Sequence, residues 1–186
     1  MIPRILIATT CVLLLPATAC SQAETPPAAA IETASGELII RDRSAAGSAS
    51  LHQGREGVVI RIEADDLPQD ARNQWHGVHL HSIGDCSSED FTSSAGHINP
   101  SGRQHGLLNP EGPDNADLPN IWVDGDGSIR AEVYTTRVSL NGSDALPALL
   151  DEDGSALVIH AGSDDQTSQP IGGAGARIAC AVITAT

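Results

Sequence analysis

Two histidines one residue apart, His79 and His81, lie in the stretch 74–81 (QWHGVHLH), which reads as a β-strand. Side chains alternate across a strand, so both rings project from one face, and that spacing suits two ligands on one metal ion. An H-x-H pair alone is a weak signal. Three more histidines add weight: His97 and His105 in the polar segment that follows, and His160 at the end of the apolar run Ala156-Leu157-Val158-Ile159. A set of imidazoles suits copper or zinc, whereas an oxygen-only set would suit calcium or magnesium. Asp114, Asp117, Asp164 and Asp165 are at hand as ligands or as acceptors for ring N–H groups, with a solvated acidic turn as the other reading of Asp164 and Asp165. His76 is out of phase with His79 and His81 and reads as a hydrogen-bonded structural histidine. His52 reads as exposed.

The elements that must position these groups are strands. Residues 37–43, 57–64, 74–81, 129–135, 155–160 and 178–184 carry strand patterns, and Asp124-Gly125-Asp126-Gly127 is a hairpin-type turn after Trp122-Val123. There is no internal repeat and no convincing amphipathic helix. Eighteen glycines and eleven prolines imply many turns, and the shortage of aromatic residues (Trp75, Trp122, Phe91 and Tyr134) leaves an aliphatic core. These features predict one all-β domain. Two segments, about 82–119 and about 161–176, are too long to be simple turns. They hold most of the polar candidates, which favours function over disorder.

Residues 1–19 read as an export leader: Arg4, the apolar run Ile5 to Leu15, and the small residues Ala17-Thr18-Ala19. The run is too short for a transmembrane helix. Cys20 follows directly, and two readings stay open: lipidation of Cys20, or simple cleavage nearby. Residues 20–35, rich in Ala, Pro and Glu, read as a flexible tether. Cys86 and Cys180 then remain inside the domain, as a disulfide in an exported protein or as two buried thiols. The chain has no lysine, and without Arg4 nine arginines face twenty-four acids, a net charge of −15. That balance argues against nucleic acid and against electrostatic attraction to anionic membranes. It also means that an anionic substrate would need local attraction.

Five ordered motifs carry a resemblance. They are Gly77-Val78-His79-Leu80-His81-Ser82-Ile83-Gly84-Asp85-Cys86; Ser94-Ala95-Gly96-His97-Ile98-Asn99-Pro100; His105-Gly106; Asp117-Leu118-Pro119-Asn120; and Gly172-Gly173-Ala174-Gly175-Ala176-Arg177-Ile178-Ala179-Cys180. Together they make residues 36 to 184 similar to the Cu/Zn superoxide dismutases, in particular to their exported bacterial branch. The resemblance implies a domain over 36–186 with an eight-stranded Greek-key barrel or sandwich, immunoglobulin-like, and two long loops forming the metal site. It implies copper on His79, His81, His97 and His160, and zinc on His97, His105 and Asp117. Arg177 matches the arginine that guides superoxide, Asp164 the carboxylate that joins a copper histidine to a zinc histidine, and Cys86 and Cys180 the family's disulfide. The implied activity is conversion of superoxide and protons to oxygen and hydrogen peroxide by Cu(II)/Cu(I) cycling. The implied location is the periplasm, with membrane attachment through a lipid on Cys20 as an option, and the chain as a monomer or homodimer.

One position departs from the family. Asp114 stands where a third zinc histidine is usual. A carboxylate oxygen of Asp and Nδ1 of His are both attached to Cγ, so their reach is similar, and zinc accepts carboxylate oxygen. Zinc held by Asp114 is one reading; an empty or weak zinc site, making a copper-only dismutase, is the other. A copper-binding or delivery module with little turnover is the alternative from a different functional class.

Overall fold

The structure, a computed structural model, describes residues 32–186. The expected leader over 1–19, Cys20 and the tether as far as residue 31 lie outside the described residues. Among the described residues, no helix is long and apolar enough to cross a membrane.

The chain forms β1 (Thr33–Ile40), β2 (Ala45–Gln53), β3 (Val58–Ala64), β4 (Gln74–His76), β5 (Val78–His81), β6 (Ile121–Val123), β7 (Ile129–Thr135), β8 (Ser155–His160) and β9 (Arg177–Ala185). Seven strands pair antiparallel in the order β5-β8-β9-β1-β2-β3-β7, and β4 pairs with β6 in a small second sheet. The order is that of a Greek key, because strands distant in sequence, β9 with β1 and β8 with β5, lie side by side.

Among the described residues nine strands appear where eight were expected, and the continuous strand predicted over 74–81 is two strands in different sheets. Gly77 is the break. Its N–H donates to the Gly162 carbonyl at 2.8 Å, and its carbonyl accepts from the His160 N–H at 2.9 Å. A Cβ there would lie 2.9 Å from Ala174 Cβ, so only glycine lets the second long loop come this close. β2 was not anticipated. Its small residues give little strand signal, and it extends because it is paired on both sides, with β1 and with β3. His52 lies on β2 and is half-buried rather than exposed, with Thr33 and Val59 as its register partners. β1 begins at Thr33, inside the stretch expected as tether.

Alternation divides the side chains of β8 and β9 between two apolar clusters. Leu157, Ile159, Ala179, Ala181 and Ile183 enter the main core with Leu38, Ile60 and Leu80. Ala156, Val158 and Cys180 face the other way, against Cys86 and Phe91. Every residue of β8 is buried, as a strand covered on both faces requires. The segments between β5 and β6 and between β8 and β9 are the two long loops expected. A third long connection, 136–154, was not anticipated, and it buries Val138, Leu140 and Leu149.

Cys86 and Cys180, 94 positions apart in the chain, form a disulfide, so the first long loop is fastened to β9. Closing so long a loop restricts the unfolded chain strongly. A Cys86→Ser/Cys180→Ser variant is expected to lose about 2–5 kcal/mol of stability, as measured by equilibrium denaturation in guanidinium chloride. A loss near zero would mean that the disulfide does not constrain the fold.

Candidate metal centre

The site grows from one face of two paired strands. On β5, Val78 and Leu80 enter the core, so His79 and His81 must project from the opposite face. β8 lies alongside with His79 opposite Val158 and His81 opposite Ala156. His160 is in phase with Ala156 and Val158, which puts it on the same face as the two β5 histidines. A bulge on β9 then shifts the register between Ile159 and His160, so that His160 faces Arg177 rather than Ile178. An unbulged strand would turn Arg177 to the other side.

Each of these rings has one nitrogen engaged. His79 Nε2 donates to Asp164 Oδ2 at 2.9 Å, His81 Nδ1 to the Ala95 carbonyl at 2.9 Å, and His160 Nδ1 to the Gly175 carbonyl at 3.0 Å. Carboxylate and carbonyl oxygens can only accept, so these nitrogens carry the protons and the others present lone pairs. His79 Nδ1, His81 Nε2, His97 Nε2 and His160 Nε2 are all buried without a hydrogen-bond partner. Burial lowers all three pKa values, that of His81 to about 2 and that of His160 to about 4, with His79 also pushed down, so the rings are uncharged at neutral pH. His79, His81 and His97 form one group able to hold a metal. His160 joins from the side, its ring centroid 4.8 Å from that of His79 and 5.9 Å from that of His81. Four convergent imidazole nitrogens without hydrogen-bond partners fit a copper ion.

A second donor set shares His97. His97 Nδ1 lies 2.8 Å from Asp114 Oδ2 and 3.7 Å from Asp117 Oδ1, and His105 Nδ1 lies 2.5 Å from Asp117 Oδ1. The remaining carboxylate oxygens are tied back by main-chain amides: Asp117 Oδ2 accepts from Gly106 N and Asp114 N, and Asp114 Oδ1 from Ala116 N. One oxygen of each carboxylate is thereby left facing the imidazoles. His105 meets acceptors on both sides, Asp117 Oδ1 at Nδ1 and Asp164 Oδ1 at Nε2, 3.0 Å away. Burial would lower its pKa, but the two carboxylates overcome that and raise it to about 10. Asp164 is the mirror case: burial opposes its charge, yet His105, His79 and the Gln166 N–H hold its pKa well below the usual carboxylate range. The place between His97, His105, Asp114 and Asp117 calls for positive charge, and all four can supply a ligand atom within 4.8 Å of the others. A divalent ion such as zinc fits that set.

The copper-type donors open onto a cleft of about 450 Å³, lined by His81, His97, His160, Arg177 and also Arg103. Arg177 is held by three hydrogen bonds: Nη1 donates to the Phe91 carbonyl at 2.6 Å and to Ser94 Oγ at 3.1 Å, and Nη2 donates to the Ala95 carbonyl at 2.6 Å. Phe91 and Ala95 both have left-handed backbone, with φ of 61° and 60°. Such conformations are costly outside glycine, and here they aim carbonyls at Arg177. Burial pulls the Arg177 pKa down against the support of Asp90, but a guanidinium stays charged at any relevant pH.

The family model described as copper/zinc superoxide dismutase matches residues 45–183. The chain belongs to the copper/zinc superoxide dismutase family. The Cu-Zn superoxide dismutase of Caulobacter vibrioides is 46% identical over 143 residues, covering 76% of this chain and 80% of that protein. A second Cu-Zn enzyme, from Aquifex aeolicus, is 44% identical over 150 residues, covering 81% and 85%. Among solved structures, a superoxide dismutase-like protein from Bacillus subtilis superposes with a TM-score of 0.73 at 36% identity, covering 80% of this chain and 97% of that one. The Cu/Zn enzyme of Brucella abortus, at 24% identity and a TM-score of 0.64, supports the fold.

Within that family frame, His79, His81, His97, His105, His160, Asp114, Asp117, Asp164 and Arg177 converge on one side of the barrel. His76 does not join them: it is buried, with Nδ1 2.6 Å from the His160 carbonyl and Nε2 2.7 Å from the Ala71 carbonyl. Asp165 also stays apart, exposed and capping the turn through Thr167 and Ser168. Gly172, in left-handed backbone with φ of 59°, lies so close to Asp164 Oδ1 that any Cβ would overlap it. Sequence reasoning gave no role to Asn120, whose side chain brackets Asp164 by accepting from its N–H and donating to its carbonyl, nor to Arg103 and Arg137. Asn120 was in a quoted motif; nothing in the pattern distinguished the two arginines.

Asp164→Asn retains the shape but replaces one accepting oxygen by an amide N–H₂ that cannot accept from His79 or His105. Its metal affinity is expected to fall about 10- to 100-fold, read by competition with a chelator; an unchanged affinity would mean that Asp164 does not set these rings.

Proposed function

We propose that this chain is a superoxide dismutase in which His79, His81, His97 and His160 hold copper, and His97, His105, Asp114 and Asp117 hold zinc. The reaction converts two superoxide ions and two protons to one O₂ and one H₂O₂. The observation that carries the reading is the set of four buried imidazole nitrogens, each without a partner, three of them on histidines that line the same cleft as Arg177. Bound copper supplies one-electron redox chemistry, and bound zinc a fixed positive charge.

The protein's own groups do the rest. Asp164, Ala95 and Gly175 fix the rings of His79, His81 and His160, so that neutral nitrogens are presented without rearrangement. Arg177 attracts and orients the anion by a local charge on a protein whose net charge opposes it. His97 is the residue placed to carry a proton at Nε2 to the product, a task suited to imidazole. Asp114 in place of the family's histidine makes the second site one charge more negative, which would favour Cu(II) over Cu(I).

The disulfide fits an oxidising compartment outside the cytoplasm, in line with the leader read from residues 1–19. Periplasmic residence, with or without a lipid on Cys20, is the finer version of this placement, and the mass of the mature N-terminal peptide decides the lipid.

Two measurements test the function. On protein loaded with both metals, pulse radiolysis should show fast superoxide consumption, and Arg177→Ala should slow it about tenfold or more with copper content unchanged. Equal turnover without Arg177 would remove its guiding role, and no turnover in the parent despite bound copper would leave a copper-binding module. Metal analysis should give one copper and one zinc per chain; copper without zinc would sink the Asp114 ligand and leave a copper-only enzyme.

A further inference from the structure

The second donor set contains two carboxylates, Asp114 and Asp117, delivered by one short turn. Arg137, just beyond β7, is packed against that turn. Its Nη2 donates to the Asp117 carbonyl at 2.6 Å, and the side chain of Asn115 donates back to the Arg137 carbonyl at 2.7 Å. The turn and the arginine are therefore joined in both directions. The Nε of Arg137 is buried with no hydrogen-bond partner. A buried unpaired donor is unfavourable, so hydrogen bonding alone is a poor account of a guanidinium here. Its permanent charge is the other thing it brings. Burial pulls the Arg137 pKa down, while Asp117 and Asp114 both support its charge.

We propose that Arg137 is a positioning residue for the second metal. It braces the turn 114–117 so that each carboxylate presents one oxygen, and its charge offsets the extra negative charge that Asp114 introduces. This rests on the reading of His97, His105, Asp114 and Asp117 as metal ligands.

The test uses the full mature protein, with Arg137→Gln to remove the charge and Arg137→Lys to keep it. Zinc affinity is read by chelator competition, and the geometry of the site by the visible absorption of Co(II) bound in place of zinc. Arg137→Gln is expected to weaken zinc binding about tenfold or more and to change the Co(II) bands, with Arg137→Lys recovering much of the loss. In an Asp114→Asn background, where the extra charge is gone, the effect of Arg137→Gln should shrink. Wild-type zinc affinity in Arg137→Gln overturns the proposal. So do equal losses in the Gln and Lys variants, or an effect as large with Asn at position 114 as with Asp. If the unmodified protein takes up neither zinc nor Co(II), the metal-site reading itself fails, whatever Arg137 does.

Discussion

The Asp164 carboxylate accepts from His79 with one oxygen and from His105 with the other, at 2.9 and 3.0 Å. Because those rings belong to different donor sets, one buried anion orients both and holds the Nε2 proton of each. The lone pair of His79 is thereby directed to the set with His81 and His97, and Nδ1 of His105, which must give up its proton to a metal, is aimed at the set with Asp114 and Asp117. Asp164 must in turn be immobile. Asn120 grips its main chain on both sides, the Gln166 N–H holds Oδ1, and Gly172 leaves the room that Oδ1 occupies. Loosening any of these would move two metal sites together.

The barrel supplies what the loops lack, which is a rigid face. β5 and β8 are anchored through Val78, Leu80, Leu157 and Ile159 in a closely packed core, so the rings on their opposite face share its rigidity. His97 and His105 reach the site from the first long loop, which is tied down by the disulfide to β9 and by the hydrogen bonds of Arg177 to Phe91, Ser94 and Ala95. The Ala95 carbonyl accepts from both Arg177 and His81, so the guanidinium and the ring are set by the same strained peptide.

Charge is distributed against the average. The chain carries a formal net charge of −14, yet the lining of the cleft includes two arginines, Arg103 and Arg177, and two histidines, His81 and His160, that burial keeps neutral. A small anion responds to the nearest fixed charges more than to remote screened ones. The departure at Asp114 shifts the balance at the neighbouring site in the acidic direction, and Arg137 stands on the side from which it can be compensated.

The amino-acid sequence by itself determined the donor types, their order and the face they occupy. Alternation placed His79 and His81 together, the apolar run before His160 made it a strand terminus, and two internal cysteines behind what reads as an export leader pointed to a disulfide. These are local patterns or ordered motifs, and both survive without knowledge of the fold. The tertiary structure alone decided which nitrogen of each ring is free, because that depends on acceptors from distant segments: Ala95 for His81, Gly175 for His160, Asp164 for His79 and His105. It also decided the break at Gly77, the strand β2, the bulge that turns Arg177 toward His160, and the place of Arg137 beside the carboxylate turn. Each of these is an outcome of pairing or packing between residues far apart in the chain, and periodicity along a single segment carries no record of what lies across from it.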